Sequence, residues 1–299
     1  FEVPRVRQRA RAVRVLGWDE AEDPVRRVAE WFGAAPERAA VLVEPRTEYA
    51  VAAALARAMP RATLIDGASA FEQLRVVKSD EEIARIRRAA EITEDAFAAT
   101  FDRLEVGMLE RDVARIVREE HARRGVDGGY ALVQFGPSAA LPHGGPTAAS
   151  LQPGTGVLLD GGCSFQGWQS DITRTRWFGS APTERFRRVY NLVHDAQTAA
   201  IARVRPGVAA QEIDRAGRAV IAQGGFGPQF THRLGHGIGM EGHEAVYMVE
   251  GNGAPLQPGL VFSVEPGIYL PGELGVRLED LVACGPTSAD VLSRRAPRL

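Results

Sequence analysis

The four-residue word Leu151-Gln152-Pro153-Gly154 recurs as Leu256-Gln257-Pro258-Gly259, and in each copy the sixth residue after the glycine is a carboxylate, Asp160 and Glu265. Earlier segments repeat as well. Val106-Gly107 followed by Asp112-Val113 matches Pro206-Gly207 followed by Glu212-Ile213, and Gly125 falls on Gly225, all at an offset of 100. Chance rarely couples a four-residue identity to a carboxylate at the same distance. Self-similarity of this kind marks a repeated structural unit. The expected architecture is α/β (α+β), with two similar halves related by a pseudo-two-fold axis and the chemistry placed where their sheets meet.

Hydrophobic periodicity agrees with that division. Ser79 with Glu82 is a capping-box pattern, and it opens a long helix whose apolar face is Ile83, Ile86, Ala90, Phe97 and Phe101. A second helix is expected over 110–124, stopped by Gly125. After a β-rich stretch, a third runs over 183–203 with Phe186, Val189, Val193, Ala196 and Ala200 inward, and a fourth over 210–223, stopped by Gly224. Residues 1–70 read separately, as part of an N-terminal α/β domain: helix 24–32, strand 40–43, an Ala-rich helix 49–59 and strand 63–65. Residues 71–299 form the second expected domain. The chain begins at Phe1 rather than Met, which is read as further sequence upstream.

Composition excludes several functions. Lys+Arg 36 against Asp+Glu 38 gives a formal charge of -2, so no global field favours nucleic acid or an anionic membrane. Arg5, Arg7, Arg9, Arg11 and Arg14 alternate with Val3, Val6, Val13 and Val15, a pattern read as an edge strand or solvated segment rather than a nucleic-acid arm. No apolar run approaches the ~20 residues of a membrane span, and no signal peptide is visible. Two cysteines, Cys163 and Cys284, fit a reducing cytoplasm without a disulfide framework.

Five residues carry the chemistry. Asp160 ends the apolar run Val157-Leu158-Leu159, and Asp171 follows eleven positions on, as expected of neighbouring strands with both side chains on one face. His236 lies in His232-Arg233-Leu234-Gly235-His236-Gly237-Ile238-Gly239, expected as a Gly-flanked loop whose glycines let backbone approach a metal. Glu265 and Glu279 lie in Glu265-Pro266-Gly267-Ile268-Tyr269 and Arg277-Leu278-Glu279-Asp280. Each acid alone would be an ordinary turn residue. Together, in short strand-like or Gly-rich segments where a lone buried charge is costly, they suit two divalent cations, because carboxylates can bridge metals. Paired metals can lower the pKa of a shared water and clamp a scissile carbonyl. Cys163 is read as a small buried thiol, not a ligand.

With these spacings and flanks, the set resembles the pita-bread metallopeptidases, the family of prolidases, Xaa-Pro aminopeptidases and methionine aminopeptidases. The resemblance runs from about Phe71 to the C-terminus. The phrase Leu74-Arg75-Val76-Val77-Lys78-Ser79-Asp80-Glu81-Glu82-Ile83 is similar to the segment that opens the catalytic domain in proline-directed members. The resemblance implies that Asp171, His236 and Glu265 hold one metal and Asp160 the other, with Asp171 and Glu279 bridging. It gives Glu265 a second role, carrying a proton to the leaving nitrogen.

His143, His232 and His243 match the family's auxiliary histidines: His243 would touch the carbonyl oxygen, His143 the substrate's polar groups or leaving amine, and His232 the substrate. Arg277 would orient a ligand carboxylate or meet the substrate's C-terminal carboxylate, against a plain salt bridge to Asp280 or another surface acid. Tyr269 is expected beside the site, while His121 and His194 are read as packing or surface residues.

The resemblance implies Mn2+ or Co2+, with Zn2+ as the alternative, and a homodimer. The expected activity is hydrolysis of an N-terminal Xaa-Pro bond, of prolidase type, with an aminopeptidase acting on longer peptides as the alternative. A metal-free, creatinase-like enzyme or a binding module on the same scaffold would lack some of the ligands, and none is missing.

Overall fold

The computed structural model describes residues 2–9, 13–33, 39–126, 129–142, 144 and 147–299. The chain divides into two compact units, Phe1–Gln73 and Leu74–Leu299. The first contains α1 (Val3–Arg9), α2 (Pro24–Phe32), β1 (Ala40–Val43), α3 (Tyr49–Ala58) and β2 (Thr63–Asp66), with β1 and β2 parallel. Asp23 caps α2 by accepting from the Val25 N–H at 2.9 Å. Within the arginine-rich segment Val3–Arg9 is a helix and not an edge strand, and residues 4–8 are exposed, in keeping with the solvated alternative. Val3 and Val6 fall three apart on its surface, a spacing that serves a helix as well as the wider alternation serves a strand. Helix α4 (Ala68–Val76) is an element that the sequence pattern did not announce.

The second unit is built twice over. In its first half, α5 (Asp80–Phe101) and α6 (Glu110–Arg123) precede a three-stranded antiparallel sheet of β3 (Tyr130–Phe135), β4 (Thr155–Gly162) and β7 (Ile172–Phe178). Between β4 and β7 projects a small hairpin, β5 (Ser164–Phe165) and β6 (Trp168–Gln169). The second half repeats this with α7 (Glu184–Arg203), α8 (Ala210–Gln223), β8 (Gly235–Gly237), β9 (Glu244–Met248), β10 (Val261–Val264), the hairpin β11 (Gly267–Leu270) and β12 (Leu274–Arg277), β13 (Asp280–Cys284) and β14 (Ala289–Val291). Its sheet order is β14-β13-β10-β8-β9.

The expected capping box is present: the Ser79 N–H donates to Glu82 at 2.8 Å and the Glu82 N–H to Ser79 Oγ at 3.4 Å. The repeated words do the same work in each half. Gly107 N–H donates to Leu151 O and Gly207 N–H to Leu256 O, both at 2.9 Å, so each word ties its helical pair to its sheet. Gly154 and Gly259 have φ of +84° and +87°, a left-handed turn that only glycine enters at no steric cost.

Register makes the correspondence exact to the residue. Phe135 pairs with Val157, Gly237 pairs with Phe262, and 157 and 262 differ by the same 105 that separates Gly154 from Gly259. One residue before each lie Gln134 and His236, which are therefore structural counterparts. Strand β10 is buried on both sides: Val261 packs with Ile86, Phe97 and Val157, while Phe262 and Val264 pack with Phe186, Val189 and Ile213. This shared core holds the halves face to face and fixes the seam between their sheets.

Candidate metal centre

Each half delivers its acids by the same device. A strand ends in one carboxylate, a hairpin projects, and the second carboxylate starts or precedes the returning strand. Asp160 lies near the end of β4 and Asp171 just before β7; Glu265 follows β10 and Glu279 precedes β13. The halves are joined there, Glu279 N–H donating to Thr173 O at 3.1 Å. The Thr173 hydroxyl sits 3.1 Å from Asp160 Oδ1 and 2.8 Å from Glu279 Oε2, so its single proton serves one of the two.

His236 stands in a strand and not in the expected loop. Its flanking glycines serve sheet packing: a Cβ on Gly235 would lie 1.9 Å from Ser263 O, and one on Gly237 would lie 2.2 Å from Ala245 O. The imidazole is set up as a ligand. Its Nδ1 donates to Gly237 O at 3.0 Å, which leaves Nε2 as the bare nitrogen, 3.4 Å from Glu265 Oε1 and 3.7 Å from Asp171 Oδ2. Burial, then the adjacent His243, lowers its pKa to about 3, so the approaches to the acids are not ion pairs.

Ligand atoms of Asp160, Asp171 and Glu279 lie within 4.8 Å of one another; so do those of His236, Glu265 and Glu279, and those of Asp171, His236 and His243. Two acids thus belong to more than one group, as bridging carboxylates do. Burial, followed by the neighbouring charges, raises Asp171 and Glu279 well above ordinary carboxylates, and burial raises Glu265 to about 7. Glu279 Oε1 is buried with no hydrogen-bond partner. Converging, desolvated acids with an orphaned oxygen are costly by themselves and need cations, so the residues present fit divalent metals.

Tyr130 donates its hydroxyl to Asp171 Oδ1 and was missed by sequence reasoning. The repeat contains its signal. Leu132 pairs with Asp160, and Leu234 O accepts from Glu265 N–H, so Tyr130 is the counterpart of His232, two residues upstream in each half.

Arg277 reaches into the acids from β12. Its Nη2 donates to Asp160 Oδ2 at 2.7 Å, its Nη1 to the Tyr269 hydroxyl at 2.9 Å and its Nε to Thr173 Oγ1 at 3.0 Å. Asp280 is paired with Arg174 instead, at 2.7 Å, so the acid that Arg277 meets is Asp160 and not Asp280. The chain of donors continues: His232 Nδ1 gives its proton to Arg233 O at 2.7 Å, so its Nε2 accepts from the Tyr269 hydroxyl at 2.7 Å. His243 stacks on His236 with centroids 3.8 Å apart and accepts at Nδ1 from Arg233 Nη2 at 3.1 Å, which places its proton on Nε2. Cys163 lies behind the sheet against Ala89 and Ile92, away from the acids, and His121 is buried within α6. His143 lies outside the described residues.

The four acids, His236, His232, His243, Tyr130, Arg233 and Arg277 line a cavity of about 310 Å³, closed further by Pro142 and Gly242. A larger cavity of about 560 Å³, lined by Phe97, Phe101, Trp177 and several arginines, lacks the acid cluster, so volume does not locate the chemistry here.

The fold and its acidic seam define a divalent-metal α/β protein. The sequence profile of metallopeptidase family M24 matches residues 84–286. An Xaa-Pro dipeptidase of Lactobacillus helveticus is 40% identical over 235 residues, 77% of this chain and 63% of that protein, so the aligned stretch spans less than two thirds of this relative. A dipeptidase from Pyrococcus horikoshii superposes with a TM-score of 0.91 at 30% identity, covering 98% of this chain and 83% of that one. An X-Pro aminopeptidase from Thermotoga maritima gives 0.89 at 29%, covering 99% and 84%. The chain belongs to metallopeptidase family M24 and has its pita-bread fold.

The shifted acids give a signed prediction for metal binding. Because burial raises Glu265 to about 7 and lifts Asp171 and Glu279 well above ordinary carboxylates, the chelated protein holds carboxyl protons that cations must displace, whereas His236 has none to release. Metal affinity is therefore expected to climb as pH rises through about 7, with roughly one proton or more released per centre at pH 6. Titration calorimetry in buffers of different ionisation enthalpy measures that number. Heats at pH 6 that do not depend on the buffer would contradict it.

Proposed function

We propose that this chain hydrolyses N-terminal Xaa-Pro bonds of short peptides, with the dipeptide as the preferred substrate, at a two-metal centre held by Asp160, Asp171, His236, Glu265 and Glu279. The observation that carries the reading is the convergence of these five side chains at the seam, with Glu279 Oε1 buried and unpartnered. Bound divalent cations would polarise the scissile carbonyl and lower the pKa of water. The chain's own residues supply the rest. His243 Nε2–H donates to the carbonyl oxygen as charge develops on it. Glu265, a carboxylate beside the reacting carbonyl, can take a proton at a carboxylate oxygen and give it to the leaving nitrogen. Arg277 and Thr173 hold Asp160 and Glu279 in place.

Support for proline comes from the named activities of the relatives, and the cavity wall of Pro142, His232, Gly242 and His243 is where the ring would sit. An aminopeptidase acting on longer peptides is the second reading, favoured by the likeness to the Thermotoga enzyme. Mn2+ or Co2+ is the metal proposed from the family resemblance, with Zn2+ as the alternative; the oxygen-rich set with one imidazole accommodates each of them. Free, buried Cys163 and Cys284 support a reducing compartment, proposed as the cytoplasm. No helix among the described residues is long and apolar enough to cross a membrane. A homodimer is proposed from the family resemblance.

The test compares Ala-Pro with Ala-Ala on metal-loaded protein. A proline nitrogen carries no hydrogen, so a site built for it must read the ring by shape. Replacing the ring is expected to lower kcat/KM by roughly ten- to two-hundred-fold. Equal rates would remove the proline reading and leave the hydrolase; no hydrolysis of any dipeptide would remove both.

A further inference from the structure

Strand β3 covers residues 130–135, so Tyr130, Ala131 and Leu132 are held by the ladder, opposite Gly162, Gly161 and Asp160. Their counterparts in the second half are His232, Arg233 and Leu234, yet β8 begins only at Gly235. His232 therefore lies outside the ladder, although its side chain lines the cavity beside the acids. Backbone that leaves a ladder still needs partners for its polar groups.

Two side chains on α8 take the place of the ladder. Asp214, which is buried, and Arg218 stand one helical turn apart. Arg218 Nε and Nη2 donate to Asp214 Oδ2 and Oδ1, both at 2.9 Å, and this fork fixes the plane of the guanidinium. Two further bonds go to backbone: Nη1 donates to Phe230 O at 2.9 Å and Nη2 to His232 O at 2.8 Å. The guanidinium also lies over the Phe230 ring, 4.2 Å from its centre, and that ring meets the His232 imidazole edge-on with centroids 5.1 Å apart. At the repeat's offset of 100 the first half has Ala114 and an exposed Arg118, so the acid that braces the arginine is present only where the ladder stops short.

Resting on the hydrolase reading above, we propose that Arg218, braced by Asp214, is a positioning residue for the reaction: it holds His232 in register at the wall of the cavity that receives the substrate. Arg218 does not line that cavity, so it acts through the histidine. The imidazole it steadies accepts from the Tyr269 hydroxyl at 2.7 Å. His236 is anchored separately. The Leu234 N–H reaches Met248 O at 3.1 Å as well as Asp214 Oδ1 at 3.0 Å, and Leu234 O accepts from the Glu265 N–H at 2.8 Å. Losing Arg218 consequently loosens His232 and leaves the metal ligands in place.

The experiment is a double-mutant cycle, reading kcat/KM for Ala-Pro and metal content on the metal-loaded parent, Arg218→Ala, His232→Ala and the double variant. Alanine is chosen because it keeps α8 helical. Two hydrogen bonds from a charged group to backbone carbonyls are lost, so Arg218→Ala is expected to lower kcat/KM about tenfold to a hundredfold with its cations retained. In the His232→Ala background the same substitution is expected to cost less than about twofold, because the group through which it acts is gone. A structural role elsewhere gives factors that multiply across the two sites, and that result overturns the proposal. So does an Arg218→Ala enzyme with parental kcat/KM, or one that has lost its cations. Arg218→Lys keeps a cation beside Asp214 and loses the fork, so it carries the same cycle if the alanine variant folds poorly. Failure of the underlying reading looks different. A parent that hydrolyses no dipeptide removes both, whereas equal rates on Ala-Pro and Ala-Ala remove the proline reading and leave the cycle to be read.

Discussion

Asp171→Asn is expected to lose most of its activity, about a thousandfold or more in kcat, and to bind fewer than two cations. An amide offers one neutral oxygen where a shared ligand must offer two anionic ones. The fold should survive, because Asn keeps an acceptor for the Tyr130 hydroxyl. The stability of the two states should move in opposite directions. Stripped of metal, the parent contains Asp171 buried among Asp160, Glu265 and Glu279, and burial with those charges pushes its pKa well up. Removing one acid relieves that repulsion, so the chelated variant should melt no lower than the chelated parent. With metal added, the parent should gain stability that the variant cannot match. Thermal unfolding with and without chelator, together with metal analysis, reads all of this. Two tightly held cations and near-parental turnover would sink the assignment of Asp171.

Arg277→Met should be the most damaging substitution for stability. The arginine is buried, and its removal leaves Asp160 Oδ2, the Tyr269 hydroxyl and Thr173 Oγ1 without their donor. Breaking a buried ion pair by deleting one member costs about 3–5 kcal/mol. Denaturant unfolding of the chelated protein should show the full loss, and cations should recover part of it by offsetting the charge on Asp160. A loss below about 1 kcal/mol would mean that water or a neighbour had replaced the guanidinium.

The fold was legible where local pattern and backbone demand coincide. Ser79 and Glu82 announce the start of α5, Thr183 caps α7, and the repeated Leu-Gln-Pro-Gly words mark the same turn twice. The four acids and the imidazole could be picked out because buried strand ends rarely hold charges. What escaped depends on contacts between segments far apart in the chain. Gly235 and Gly237 looked like room for a metal, yet the space they leave is taken by the carbonyls of Ser263 and Ala245. Arg233 is one of 36 basic residues, and only the fold sets it against His243 and Tyr247. Tyr130 could have been found, had the repeat been carried through residue by residue to His232. In the arginine-rich start, seven residues are too few for periodicity to separate strand from helix.

Gln134 and His236 occupy the same place in the two halves and do different things. Gln134 turns its amide to Ser138 O and Leu141 O, both at 2.8 Å, and pins the loop that follows β3; His236 faces the acids. A chain of half this length, with two carboxylates of its own, would build a comparable seam only by pairing with an identical copy, and two-fold symmetry would then force the same residue into both places. Such an ancestor would have had to choose between an imidazole at each site and a clamped loop at each. Joining the copies in one chain lifts that constraint. The two halves can then diverge, one presenting an imidazole to the acids and the other an amide to its own loop, and an asymmetric centre arises inside a nearly symmetric frame.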